Sequence, residues 1–193
     1  MSFVKLYKDD SFRWGLWEIK NFSVGKLSHA ALRKKQSIEA NNAMQFLLED
    51  ESLEIVKDTF GRPYLKNMEG AISISHSDAW VAVIHKFMGQ TGIDVQKFKM
   101  KILHLTDKFT SRNEQEIPQN FSPLQWFTLL WTAKESMYKW HGKRGLNLKH
   151  DIKILHHEKK ERKLIGSIKT ENEYHELLLS YVFLEEGVLS FVK

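Results

Sequence analysis

Acidic and basic side chains that could carry chemistry stand close together at residues 131–139. Trp131, Glu135 and Lys139 are spaced four apart, so in a helix they stack along one side. A carboxylate that extends an apolar stripe is costly to bury unless a cation meets it, which makes Glu135 a candidate for binding a cation. The alternative is a Glu135–Lys139 ion pair on a helix surface, which contributes about 0.2–0.5 kcal/mol to stability.

A second candidate lies on a predicted strand at 92–96. Asp94 and Gln96 are two residues apart, so both project from one face of the strand, while Ile93 and Val95 point the other way. Two oxygen-bearing side chains on one strand face can bind a hard cation. The alternative is a polar strand edge that faces solvent.

Hydroxyl groups and a histidine cluster at 73–78, between two predicted strands. Ser75 and His76 belong to this S-I-S-H-S-D run, and side chains of both types can donate hydrogen bonds to phosphate oxygens. The sequence lacks the G-x-S-x-G elbow, which weakens the case for a serine hydrolase. It also lacks the G-x-x-x-x-G-K-[ST] loop and the G-x-G-x-x-G fingerprint of nucleotide-binding proteins.

Residues 131–139 lie in the segment of the chain with the clearest helix signals. Ser122 is suited to capping a helix, proline follows at the first helical position, and Gln125 stands three residues after the cap. These signals predict a helix from 122 to about 140, ended by Gly142. One or two further helices are predicted at 28–57, and strands at 71–75, 80–84, 92–96, 152–155, 164–168, 177–183 and 188–192. One long helix followed by a run of strands is typical of an α+β fold.

Composition narrows the class of protein. The 193 residues include 29 lysines and arginines against 24 aspartates and glutamates, and the net charge of +5 suits phosphates, nucleic acid or an acidic protein as partners. The absence of cysteine excludes disulfides, thiolate catalysis and cysteine-ligated metals. No apolar stretch approaches the ~20 residues that span a bilayer, and the N-terminus lacks an apolar signal segment. We expect a cytoplasmic protein that does not act at a membrane.

Four short motifs follow one another in a definite order. They are G-R-P at 61–63, I-S-H-S at 74–77, G-I-D-V-Q at 92–96 and W-T-A-K-E-S-M-Y-K at 131–139, with G-L at 145–146. This order resembles the 4′-phosphopantetheinyl transferase superfamily, in its longer, surfactin-synthetase-activating type. The signatures of that family read roughly G-K/R-P, S-H-S, G-[IV]-D-x-E and W-x-x-K-E-x-x-x-K with a trailing G-L. The resemblance covers about 60–147 by motif, and the flanks only by length and element order.

The resemblance implies a reaction, a fold and a set of partners. The reaction is transfer of 4′-phosphopantetheine from coenzyme A to a serine hydroxyl of an apo acyl or peptidyl carrier protein, releasing adenosine 3′,5′-bisphosphate. The fold is two similar α/β halves with mostly antiparallel sheets, 1–104 and 105–193, with the active site in the cleft between them. The implied protein is a monomer that uses Mg²⁺ and does not act on nucleic acid.

The resemblance also assigns roles to individual residues. Asp94 and Glu135 would hold Mg²⁺, and Lys139, which would face the pyrophosphate, completes the catalytic set. Glu135, or a water that it orients, is the candidate general base. The phosphates of coenzyme A would be held by residues of the first two motifs, Arg62, Ser75 and His76.

The sequence departs from the family pattern at two places. Gln96 stands where the family often has a third acidic ligand, and a unit charge pair at 4 Å is worth about 4 kcal/mol at an effective dielectric near 20. We therefore expect Mg²⁺ to bind weakly alone and better with coenzyme A, with Gln96 ligating through its amide oxygen or through a water. Segment 39–45 lacks the arginine that family members commonly place there. Three basic residues upstream either reach the 3′-phosphate of coenzyme A or form a solvated face: Arg33, Lys34 and Lys35.

Three further points stay open at the level of the sequence. Lys134 matches the family motif, and it either contacts a ligand or packs within the fold. A catalytically weak homologue that binds coenzyme A or carrier protein is favoured only by Gln96, and a Mg²⁺-dependent nuclease is supported by no nucleic-acid motif. An acidic carrier protein would meet basic residues beside the cleft, namely Lys97, Lys99, Lys101, Lys143 and Arg144.

Overall fold

The computed structural model describes residues 2–19, 28–78 and 80–193. Contacts within the chain divide it into two units, Met1–Thr91 and Gly92–Lys193. Both units combine helices with antiparallel strands, so the predicted α+β class with antiparallel sheets is confirmed. Within the described ranges, no helix has the length and apolar character needed to cross a membrane.

The first unit is a four-stranded antiparallel sheet with one long helix packed against it. Its elements are β1 (Ser2–Lys8), β2 (Phe12–Glu18), α1 (His29–Leu48), β3 (Ile55–Lys57), β4 (Pro63–Leu65), β5 (Ala71–Ser77) and β6 (Trp80–Lys86). The sheet order is β1-β2-β6-β5, and β3 pairs with β4 alone. Helix α1 buries residues at the i, i+3, i+4, i+7 spacing of an amphipathic helix: Ala40, Ala43, Met44, Leu47 and Leu48. They form one core cluster with Val81 and Val83, which lie on the same face of β6.

The predicted helical region at 28–57 is wrong beyond Leu48. Glu49 adopts the left-handed conformation with φ 60°, which ends the helix. Asp50 then accepts two hydrogen bonds from the residue two places later, so the chain turns and continues into the short strand β3. Leu53 continues the helical spacing in the sequence, but it reaches the core from this turn.

The second unit is a five-stranded antiparallel sheet with the order β7-β11-β10-β9-β8. Its elements are β7 (Gly92–Lys97), α2 (Thr106–Phe109), α3 (Pro123–His141), β8 (Ile152–Glu158), β9 (Lys163–Lys169), β10 (Tyr174–Leu184) and β11 (Gly187–Val192), with 3-10 turns at Met100–His104 and Asn113–Gln115. The strands predicted after the long helix are confirmed. Strand β7 pairs with β11 and so lies in this unit, whereas the predicted division at 104 grouped it with the first half. The similarity of the two halves stays a prediction.

Helix α3 forms where its capping residues predict it. The Ser122 side chain accepts a hydrogen bond from the Gln125 N–H, and the Gln125 side chain accepts one from the Ser122 N–H, which is a complete capping box. Gly142 ends the helix in the left-handed conformation with φ 72°. Because both ends are fixed locally, the positions of Glu135 and Lys139 on the helix follow from the sequence.

Close backbone packing holds α3 against β7. A Cβ atom at Gly92 would lie 1.9 Å from the carbonyl oxygen of Ser136 and 2.7 Å from the Trp140 nitrogen, so only glycine fits there. The Ser136 hydroxyl, fully buried, donates to the Ser190 carbonyl oxygen on β11 at 2.9 Å. In the β7–β11 register Ser190 is the partner of Asp94. These contacts set the distance between the helix and the strand that carry the candidate site.

Candidate metal and phosphate site

Asp94 lies on β7 on the side that α3 covers. Its side chain is 9% exposed and accepts a hydrogen bond from the Lys139 ammonium, with Nζ 2.7 Å from Oδ1. The same ammonium donates to the Ile93 carbonyl oxygen at 3.0 Å. The sequence motifs at 92–96 and 131–139 are therefore brought together by the packing of the helix on the strand.

Glu135 stands one turn before Lys139 on α3 and is half-buried. Burial raises the pKa of Glu135 above the ordinary range of a glutamate, the negative charge of Asp94 raises it further, and the positive charge of Lys139 opposes both. The two carboxylates are thus close enough to repel each other. This arrangement differs from a simple Glu135–Lys139 pair on a helix surface, because the lysine bonds to Asp94 on the strand.

The donor set fits a hard divalent cation. The site has two negative carboxylates, Asp94 and Glu135, and one positive ammonium, so it carries an excess of negative charge. Mg²⁺ prefers oxygen ligands from one or two carboxylates together with substrate phosphates and water. Gln96 is two residues beyond Asp94 on the same face of β7 and is half-buried. Its amide nitrogen lies 3.4 Å from the Lys97 carbonyl oxygen, a long and weak hydrogen bond. Gln96 adds an oxygen donor to the group but no charge.

Lys134 has a different role from its neighbour Glu135, since the structure buries it completely. Its ammonium contacts both carboxylate oxygens of Glu114 at 2.8 and 2.9 Å. It also donates to the carbonyl oxygens of Phe109, Leu148 and Ile152 at 2.7, 3.0 and 2.8 Å. Burial lowers the pKa of Lys134 to about 8, and the Glu114 charge works against this shift. The point left open by the sequence is settled: this lysine packs within the fold.

Glu114 is the important residue that sequence reasoning missed. It is 5% exposed and also accepts hydrogen bonds from the Ser111 N–H and hydroxyl and from the Ile154 N–H. Its carbonyl oxygen accepts a hydrogen bond from the Trp126 indole. Glu114 lies in the 3-10 turn Asn113–Gln115, 20 residues before Lys134, so no spacing rule points to the pair. The only usable signal is that a lysine inside an apolar helix face needs an acid.

The candidate phosphate-binding residues lie in the first unit and in different surroundings. Arg62 helps to line a cavity of about 490 Å³, whose other lining residues are Asp58, Pro63, Tyr64, Glu69, Gly70, Ala71, Ile72, Phe87 and Gly89. Ser75 and His76 are not among them. His76 donates from Nε2 to the Gln36 carbonyl oxygen of α1 at 3.0 Å, whereas Ser75 points to the opposite face of β5 and is 4% exposed. Their assignment to coenzyme A stays a prediction.

The basic residues expected to meet a carrier protein differ in how strongly they are held. Lys97 forms an ion pair with Glu186 at 2.7 Å, and Lys143 forms one with Glu173. Lys143 is exposed, and so are the remaining candidates: Lys99, Lys101 and Arg144.

Comparison with known proteins gives a consistent result. The model of the 4′-phosphopantetheinyl transferase superfamily matches residues 90–189, which include β7, α3 and most of the second sheet. The chain is also 29% identical over 156 residues to the 4′-phosphopantetheinyl transferase ffp of Bacillus subtilis. That match covers 78% of this chain and 65% of the relative, so the chain spans less than two thirds of the relative's length.

Proposed function

The chain belongs to the 4′-phosphopantetheinyl transferase superfamily, and from this premise we propose that it transfers 4′-phosphopantetheine from coenzyme A to a serine hydroxyl of an apo acyl or peptidyl carrier protein. The reaction depends on Mg²⁺ and releases adenosine 3′,5′-bisphosphate. The observation that carries the proposal is the meeting of Asp94, Glu135 and Lys139 where α3 packs on β7.

Asp94 and Glu135 are the residues that would hold Mg²⁺, with Gln96 contributing its amide oxygen directly or through a water. The mutual repulsion of the two carboxylates supports this assignment, because a divalent cation removes it. When bound, the metal would supply positive charge that stabilises the 5′-phosphate of the leaving adenosine 3′,5′-bisphosphate.

Lys139 and Glu135 carry the remaining chemistry. The Lys139 ammonium is directed to the pyrophosphate of coenzyme A, where it stabilises the negative charge that grows on the leaving group. Glu135, itself or through a water that it orients, accepts the proton of the serine hydroxyl. The serine oxygen then forms a bond to the β-phosphorus, and the bond between this phosphorus and the bridging oxygen breaks.

Binding of the two substrates is assigned to other residues. Arg62, Ser75 and His76 are assigned to the phosphates of coenzyme A on the family resemblance, although Ser75 and His76 point to opposite faces of β5. The acidic carrier protein is met by the basic residues of the second unit, among which Lys99, Lys101 and Arg144 are exposed. The enzyme acts as a monomer.

The test is the intact mass of a purified apo acyl carrier protein after incubation with this protein, coenzyme A and Mg²⁺. We expect a gain of one phosphopantetheine group, abolished by EDTA and by Asp94→Asn, which keeps the shape of the side chain and removes its charge. Lys163→Met is the matched control, because Lys163 pairs with Glu161 on the surface of the same unit.

Two negative outcomes have different meanings. No mass gain on several unrelated carriers, with coenzyme A still bound, would favour the catalytically weak homologue that Gln96 suggests. No binding of coenzyme A at all would overturn the proposal.

A further inference from the structure

The two lysines of the motif on α3 are held very differently. Lys134 is fully buried and its ammonium has four protein groups around it. Lys139 is 27% exposed at its side chain, and its ammonium bonds to Asp94 Oδ1 and the Ile93 carbonyl oxygen. The first lysine cannot leave its place without unfolding its surroundings, whereas the second has a path to solvent.

We propose that Lys139 acts as an internal counterion that competes with the divalent cation for Asp94, and that the phosphates of the donor substrate draw it away. This inference rests on the proposed function, since it concerns the metal and the phosphate donor of that reaction. It makes Lys139 the link between metal binding and coenzyme A binding.

Geometry supports direct competition. The Lys139 Nζ already lies 2.7 Å from Asp94 Oδ1. A Mg²⁺ ion bound by a carboxylate oxygen lies about 2.1 Å from that oxygen. A divalent cation bound to the same carboxylate, which is 9% exposed, would be repelled by the ammonium, because the protein leaves little water to screen the two charges. The ammonium in this position therefore opposes metal binding at Asp94.

Phosphate groups provide the place to which it moves. A lysine ammonium is a flexible point charge on a long stem and binds phosphate well. When a pyrophosphate is present, the Lys139 ammonium leaves Asp94 and binds phosphate oxygens. Asp94 is then available to bind the metal. The same event predicts weak metal binding alone and stronger binding with coenzyme A, independently of Gln96.

The test is titration with Mn²⁺ alone as the probe, followed by electron paramagnetic resonance of the free ion, on the full chain. Wild type is compared with Lys139→Met, Lys139→Gln and the control Lys163→Met, each with and without coenzyme A. Without coenzyme A, we expect both Lys139 variants to bind Mn²⁺ about tenfold more tightly, because both remove the positive charge that competes for Asp94. The control binds as wild type does.

Coenzyme A should then strengthen Mn²⁺ binding to wild type and to the control, and strengthen it much less in the Lys139 variants. Equal or weaker Mn²⁺ binding by the Lys139 variants overturns the inference. Lys139→Gln keeps a hydrogen-bond donor for the Asp94 carboxylate. If Lys139→Met does not fold, the Mn²⁺ affinity of Lys139→Gln relative to wild type tests the inference. If wild type binds Mn²⁺ but not coenzyme A, the proposed function fails while the comparison of variants still decides the competition.

Discussion

The buried pair of Lys134 and Glu114 gives the sharpest test of the physical account of the second unit. We consider Lys134→Met, Glu114→Gln and the double variant. Methionine matches the length of the lysine stem but has no donor, so Lys134→Met leaves the Glu114 carboxylate buried without its cation. It also removes the donor from the carbonyl oxygens around the ammonium.

The expected loss follows from these contacts. Breaking a buried ion pair by removing one partner lowers the free energy of unfolding by about 3–5 kcal/mol. That is a large part of the roughly 5–15 kcal/mol that stabilises a typical domain. In the double variant the carboxylate charge is gone, so we expect its loss to be about 2 kcal/mol smaller than the sum of the two single losses.

Urea unfolding followed by tryptophan fluorescence measures these free energies. Trp126 is a local reporter, since its indole donates to the Glu114 carbonyl oxygen. Lys163→Met removes a lysine from the surface of the same unit and should change the free energy of unfolding by at most about 0.5 kcal/mol.

Two results would refute the reasoning. A Lys134→Met variant as stable as the control would show that the pair does not hold the fold. A variant of unchanged stability that has lost affinity for coenzyme A would show that Lys134 binds a ligand.

Three further predictions concern the candidate site and its surroundings. Gly92→Ala should lower the free energy of unfolding by about 3 kcal/mol or more, because its Cβ would clash with the backbone at Ser136, and urea unfolding beside wild type checks this; a neutral result would contradict the close packing of α3. Glu135→Gln should raise the free energy of unfolding of the metal-free protein by about 1 kcal/mol at pH 7. The raised pKa of Glu135 means that the native state holds its proton more tightly than the unfolded state, so stability is lost as pH rises through that pKa. The advantage of the variant should therefore vanish below the ordinary glutamate range, and an equal advantage at pH 7 and pH 4, measured in EDTA, would argue against this cause. Reversing the charges of Lys99 and Lys101 should raise the Michaelis constant for an acidic carrier protein about tenfold and leave that for coenzyme A unchanged; no change for the carrier would remove these residues from the docking surface.

The sequence predicted well those elements whose bounds depend on residues close together in the chain. Helix α3 begins at a capping box and ends at a left-handed glycine, so its bounds and the spacing of Glu135 and Lys139 could be derived from residues 122–142 alone. The four strands after it were predicted from their apolar content. Strands β1 and β2 were not predicted. In β1, buried and exposed residues do not alternate regularly and the strand is largely exposed.

What the sequence missed depends on contacts between distant residues. The end of α1 was placed too late since Leu53 continues the helical spacing. The partnership of Glu114 with Lys134 and the approach of Ser136 to Gly92 follow only from how the helix packs on the sheet. The hydrogen bond between Lys139 and Asp94 was not predicted, because the family resemblance directed Lys139 to the pyrophosphate.

The backbone contact at Gly92 also decides which part of the site can be adjusted. Helix and strand touch there with no side chain between them, so the separation of Asp94 from Glu135 cannot be changed by exchanging a larger residue for a smaller one. Position 96 lies outside that contact, two residues further along β7. An amide or a carboxylate can stand there without moving the other groups. The fold thus fixes the separation of Asp94 from Glu135 and leaves position 96 free to vary. A change at position 96 can alter the strength of cation binding without changing the geometry of the reacting groups.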